Sequence, residues 1–156
     1  MPFEILLVED NPADVRLITE ALVGDRMVSH LTVVEDGVEA LDLLRGIRPH
    51  QEPAQIDLIL LDLNLPRRNG REVLSELKHD PKLLHIPVIV FTSSEAEEDI
   101  RAAYAAHANC YVTKPVGFKQ FRRAIRSMED FWLTVARLPG GEAHEYRFNS
   151  NTTDRR

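Results

Sequence analysis

Three carboxylates stand where apolar runs stop. Glu9 and Asp10 follow Phe3-Glu4-Ile5-Leu6-Leu7-Val8, and Asp62 follows Leu58-Ile59-Leu60-Leu61. In a parallel sheet the C-terminal ends of the strands share one edge, and where the strand order reverses that edge opens into a ligand crevice. With strands in the order 2-1-3-4-5, the crevice lies between the first and third, and the three acids converge on it. Carboxylates crowded in a partly dry site repel one another, which raises their pKa values unless a cation neutralises them. The pattern therefore implies a divalent metal. An all-oxygen site with few protein ligands suits Mg²⁺, which keeps several waters and accepts a phosphate oxygen as a further ligand. Acids at strand ends also cap the helices that follow, a reading that explains Asp10 and Asn11 but not Asp62.

Two later residues fall at the same edge. Thr92 ends the fourth apolar run, and Lys114-Pro115 follows the fifth. A hydroxyl and an ammonium offer hydrogen bonds and positive charge to the oxygens of a phosphoryl group, the electrostatic positioning that phosphoryl transfer mainly requires.

The elements that must position these groups are legible in the spacing. Five short β-rich runs, at 3–8, 31–34, 58–61, 88–91 and 110–112, are largely continuous in hydrophobicity, as expected of strands buried on both faces of a parallel sheet. Helical spacing fills 12–23, 38–45, 71–79, 95–106 and 117–137. Asn11 caps the helix opened by Pro12, with Asp14 in its first turn, and Ser93 or Ser94 caps the one starting near Glu95. Gly24 and Gly46 serve as stops. Fivefold alternation of strand and helix predicts an α/β doubly wound, flavodoxin-like fold.

The segments Leu7-Val8-Glu9-Asp10-Asn11, Leu60-Leu61-Asp62-Leu63-Asn64-Leu65-Pro66, Val90-Phe91-Thr92-Ser93 and Tyr111-Val112-Thr113-Lys114-Pro115 resemble the receiver domains of two-component response regulators. The likeness spans residues 3 to 136, and each functional position of the family has a counterpart at the expected strand end. It implies that Asp62 is the phosphoacceptor. It implies too that Asp10, Asp62 and the main-chain carbonyl of Asn64 bind Mg²⁺, with Glu9 assisting through water. Thr92 and Lys114 would contact the phosphoryl oxygens, Tyr111 would be the aromatic whose pose follows Thr92, and the bond before Pro115 would be cis. Many relatives have Asp-Asp where this chain has Glu9-Asp10. A narrower likeness, in residues 65–74, 109–118 and 130–134, is to the small regulators that partner bacterial phytochrome histidine kinases, which would make red light the upstream signal.

Other chemistries find less support. The 156 residues carry a formal net charge of −6, and the basic clusters are only pairs (Arg67-Arg68, Arg122-Arg123, Arg155-Arg156), so no basic stripe for nucleic acid is expected. The six histidines and the single Cys110 show no zinc spacing. No Gly-rich phosphate loop follows the first strand, and no nucleophile elbow occurs. The main rival is a small Mg²⁺-dependent phosphatase or phosphotransferase with an aspartyl nucleophile. Such enzymes typically place a second acid two residues on, where this chain has Asn64. A receiver acting only as a binding module would have lost an acid or the lysine. With no signal-peptide pattern and no apolar run of about 20 residues, a cytoplasmic location is expected and no membrane contact.

The chain is read as a receiver over 1–138 and a polar tail over 139–156. In the last helix Phe118, Phe121, Ile125, Met128, Trp132 and Val135 recur at steps of three and four, one apolar stripe. A helix over 117–137 would outrun the sheet, leaving Phe131, Trp132, Val135 and Leu138 beyond it. That predicts a homodimer on the fourth helix, fifth strand and fifth helix, with Phe118, Phe121, Phe131, Trp132 and Val135 at the interface. The alternative is that the tail folds back over these residues.

Overall fold

The computed structural model describes residues 3–22, 29–47 and 52–139. Strand and helix alternate: β1 Phe3–Val8, α1 Pro12–Leu22, β2 Ser29–Val34, α2 Gly37–Arg45, β3 Leu58–Leu61, α3 Gly70–His79, β4 Val88–Thr92, α4 Glu97–Ala105, β5 Cys110–Thr113 and α5 Phe118–Asp130, followed by a π-helical turn, Phe131–Val135. The strands form one parallel sheet in the order β2-β1-β3-β4-β5. This is the predicted doubly wound topology.

Because side chains alternate across a strand, each central strand feeds two cores. Leu6 and Val8 of β1 join Ile59 and Leu61 of β3 under Leu41, Leu44, Val73, Leu74 and Leu77 of α2 and α3. On the opposite face, Ile5, Leu7, Leu58, Leu60, Ile89 and Phe91 pack against Ile18 and Ala21 of α1 and Phe121 and Ile125 of α5. β1, β3 and β4 are buried on both sides, which is why their sequences read as unbroken apolar runs.

Several boundaries differ from expectation. β2 begins at Ser29 rather than 31, since pairing with β1 continues back to Phe3. The predicted stop at Gly24 lies outside the described residues, as does the tail beyond 139. Gly46 does end α2, at φ 70°, with its N–H returned to the last turn. α4 starts at Glu97 instead of 95, and neither Ser93 nor Ser94 is its cap; Ala96 holds that position without a side-chain hydrogen bond.

The last helix is not α-helical to 137. After Asp130 the chain makes one π turn, closed by the Ala136 N–H to Phe131 carbonyl bond at 2.9 Å. A π turn steps five residues instead of three or four, so the stripe of Phe121, Ile125 and Met128 continues at Leu133, which is 1% exposed. Trp132 is left half-buried against the α1–α5 core together with Leu138. The predicted stripe through Trp132 and Val135 is therefore shifted by one residue: Phe131 and Val135 face solvent, as does Phe118. Phe121, placed in the interface by its spacing, is 4% exposed and stacks edge-on against Phe91 of the same chain.

Candidate metal centre

Strand register brings the acids together. Val8 pairs with Leu61, so the next residues, Glu9 and Asp62, emerge side by side; their N–H groups bond Val34 and Val8 carbonyls at 3.0 Å each. The turn into α1 then presents Asp10. Asn11 caps that helix as predicted, its Oδ1 accepting the Ala13 and Asp14 N–H groups at 2.9 and 3.2 Å. At the other end of the edge, Thr92 pairs with Thr113, and the Lys114 N–H bonds the Thr92 carbonyl at 2.7 Å. That fixes the base of the lysine side chain beside β4.

α3 closes on the site from behind. A Cβ at Gly70 would lie 2.1 Å from the Asp62 carbonyl oxygen and 2.6 Å from Leu63 Cα, so only a bare α-carbon lets the helix start this close to the backbone of Asp62. The Asn69 cap, accepting the Glu72 N–H, anchors the same turn.

The Lys114 ammonium donates to Glu9 Oε2 at 2.6 Å, Asp14 Oδ2 at 2.8 Å and Asp62 Oδ2 at 2.9 Å, which uses all three of its hydrogens. Burial alone would lower its pKa; these three bonds outweigh that and raise it above the ordinary lysine value. Burial pushes the Glu9 carboxyl up, and the charge of Asp62 adds to this, while the Lys114 hydrogen bond opposes it; the result is about 7. Asp62 meets the same burial, but the hydrogen bonds from Lys114 and from the Asn64 N–H, 3.1 Å from Oδ1, hold it below the usual carboxylate value. The edge thus holds Asp62 ionised and raises the Glu9 carboxyl to about 7.

Glu9, Asp10 and Asp62 each offer an oxygen within 4.8 Å of the others. Two of these acids are buried, while Asp10 is exposed, so one side remains open to water and ligand. Such a donor set fits a hard divalent cation that retains waters. Thr92 is fully buried, and its Oγ1 finds no hydrogen-bond partner among the described residues. An orphaned buried hydroxyl calls for an explanation, and a ligand oxygen at this edge supplies one. Asn64 lies on the rim of a depression of about 440 Å³ whose wall also includes Asp10, Leu65, Arg71, Ser94 and Asp99. Tyr111 is half-buried and its hydroxyl donates to the Ser94 carbonyl at 2.8 Å.

The predicted residues Glu9, Asp10, Asp62, Thr92 and Lys114 all meet at this edge. Asp14 as a partner of Lys114 was missed: it reads as a favourable charge in the first turn of α1, and only the return of β5 to the edge reveals its second role. Arg71 and Asp99, ion-paired across the depression, belong to surface helices and carry no sequence signal of their own.

The family model of the response regulator receiver domain matches residues 5–126. The chain belongs to the response regulator receiver family. Response regulator Rcp1 of Synechocystis is 43% identical over 138 residues, covering 88% of this chain and 94% of Rcp1. The crystal structure of the phosphorylated cyanobacterial phytochrome response regulator RcpA is similar with a TM-score of 0.86 at 46% identity, covering 89% of this receiver and 99% of that chain. The Mn²⁺-bound form of Rcp1 is similar at a TM-score of 0.85 and 43% identity, covering 88% and 99%. This receiver is thus a homologue of phytochrome response regulators. A divalent metal in the acidic cleft agrees with the manganese of that relative.

Proposed function

We propose that this receiver accepts a phosphoryl group on Asp62 from the phosphohistidine of a sensor histidine kinase. The observation that carries this reading is Asp62 itself: a nearly buried carboxylate kept ionised by Lys114, beside a buried hydroxyl with no partner. An Asp62 Oδ attacks phosphorus, the P–N bond to the kinase histidine breaks, and the electron pair leaves with the imidazole. Lys114 and Thr92 then hold oxygens of the acyl phosphate. Glu9, Asp10, Asp62 and the Asn64 carbonyl would hold Mg²⁺, which when bound neutralises charge on the transferring group.

Phosphorylation is read out at Thr92 and Tyr111, whose hydroxyl already bonds the segment after β4. The likeness to Rcp1 and RcpA points to a phytochrome as the kinase, in the cytoplasm, with no nucleic-acid or membrane partner; no helix among the described residues is long and apolar enough to cross a membrane. Residues 1–138 form the receiver and 139–156 a tail, the Lys114-Pro115 bond is cis, and two copies pair through α4, β5 and α5. The phosphatase alternative is not favoured, because Asn64 stands where a second acid would serve turnover. The test is labelling with acetyl phosphate, with and without Mg²⁺, followed by mapping. Modification of Asp62 only when Mg²⁺ is present is expected; labelling elsewhere, or equal labelling of Asp62→Asn, overturns the assignment.

A further inference from the structure

The first turn of α4 is built in a way its sequence does not favour. Ser94-Glu95-Ala96-Glu97 has the form of a capping box, in which the serine hydroxyl accepts the Glu97 N–H and the glutamate reaches back to the serine N–H. Glu95 and Ala96 are good helix formers. Yet α4 opens two residues later, from an Ala96 cap at φ −62°, ψ 125° with no side-chain hydrogen bond. The Ser94 hydroxyl is engaged elsewhere. It donates to Asp99 Oδ2 at 2.5 Å and accepts the Ala96 N–H at 3.3 Å. The other Asp99 oxygen is ion-paired with Arg71, in the first turn of α3.

This arrangement has an alternative of similar worth. A serine cap and an ion pair with one half-exposed partner contribute comparable free energies, so the balance between a helix starting at Glu97 and one starting at Glu95 is narrow. Acids suit the N-terminal dipole in either register: Glu97, Glu98 and Asp99 open the short helix, and Glu95, Glu97 and Glu98 would open the longer one. In the longer helix the Ser94 carbonyl accepts the Glu98 N–H, and that carbonyl now receives the Tyr111 hydroxyl. Ser94, Asp99 and Arg71 also line the depression that Asp10 and Asn64 border, so the change of register alters its wall.

We propose that the start of α4 is a two-register switch, latched in the short form by the Arg71–Asp99 ion pair; releasing Asp99 lets Ser94 cap a longer helix and weakens the seat of the Tyr111 hydroxyl. Its bearing on signalling rests on Asp62 being the phosphoacceptor. The change of register itself does not.

The test is NMR of the metal-free, unphosphorylated protein, comparing wild type with Arg71→Ala. In the variant, Glu95 and Ala96 acquire helical Cα shifts and exchange of the Glu97 amide slows by roughly tenfold, the scale of a gained cap. Adding Ser94→Ala reverses both changes. Unchanged shifts at 95–97, or faster exchange through 97–99, overturns the proposal, since the pair then only secures the short helix. Raising salt on the wild type to about 1 M screens the pair and moves the same signals the same way; should the variant fail to fold, this titration decides alone. Acetyl phosphate labelling is run in parallel: an unlabelled wild type removes the phosphoacceptor reading but not the switch.

Discussion

Lys114 donates a 2.9 Å hydrogen bond to Asp62 across 52 residues of chain, and it is the cation that lets Asp62 and Glu9 share a nearly dry edge. Replacing it with Met keeps the apolar stem and strands the carboxylates. Removing one partner of a buried pair costs roughly 3–5 kcal/mol, and the opening toward Asp10 brings this to about 2–3. Metal-free Lys114→Met should unfold at correspondingly lower urea, and added Mg²⁺ or Mn²⁺ should recover most of the loss by taking over the neutralising role. A metal-free urea midpoint equal to wild type would contradict the electrostatic account.

Asp10 is the exposed member of the acidic triad and contributes nothing to either core. Asp10→Asn should leave the fold unchanged and weaken Mn²⁺ binding by about tenfold or more, the loss of one anionic ligand. Calorimetric titration checks it. Equal affinity would remove Asp10 from the metal site.

The Glu9 carboxyl, raised to about 7 chiefly by burial, makes metal binding pH-dependent. Below that pH a metal must displace a proton, so apparent affinity should rise with pH by up to about tenfold per unit until Glu9 is ionised, then level off. Stability of the metal-free protein runs the other way. A pKa raised from 4.5 stabilises the fold fully below that value, and the contribution is lost as pH rises through about 7. Mn²⁺ titrations between pH 6 and 8 on wild type and Glu9→Gln test this, and an inflection that survives in the variant would assign it to another group.

Gly70 gives α3 its close seat on Asp62. A methyl 2.1 Å from the Asp62 carbonyl must displace backbone rather than a flexible side chain. Gly70→Ala should cost about 1–3 kcal/mol by overpacking and also slow Asp62 labelling, because the displaced segment carries the proposed acceptor. A Gly→Ala change tolerated in both assays would show that the turn at 69–70 relaxes freely.

The sheet and most of the site were legible because both are properties of strand ends. A strand buried on two faces announces itself as an unbroken apolar run, and the residue after it must lie on the shared edge, which is how Glu9, Asp62 and Lys114 could be placed together. What was not legible depends on contacts between distant surface elements. Ser94 looks like a helix cap and is instead held by Asp99, whose partner Arg71 lies on another helix. Asp14 reads as a dipole charge until Lys114 reaches it. The π turn after Asp130 exchanges Trp132 for Leu133 in the core, a one-residue shift that a regular helical period cannot express.

That shift redraws the predicted dimer face. Phe121 is spent inside the protomer and Trp132 is half-buried against its own core, which leaves Phe118, Phe131 and Val135 at 56, 50 and 66% exposure, with Phe131 stacked edge-on against Trp132. Phe118 stands at the start of α5, whereas Phe131 and Val135 flank Trp132 beyond its end; apolar side chains grouped in this way after Asp130 suit an interface better than solvent. In the proposed two-fold pairing through α4, β5 and α5, the π turn at the end of α5 would bury Phe131 and Val135 and enclose the exposed edge of Trp132. Phe131→Glu with Val135→Glu places charges at these positions and removes nothing from the core, so the double variant should fold with near wild-type stability and sediment as a monomer at micromolar concentration, where the wild type should sediment as a dimer. Trp132 emission should shift to the red in the variant as its edge meets water. If wild type and variant both sediment as monomers, the face is not an interface between copies.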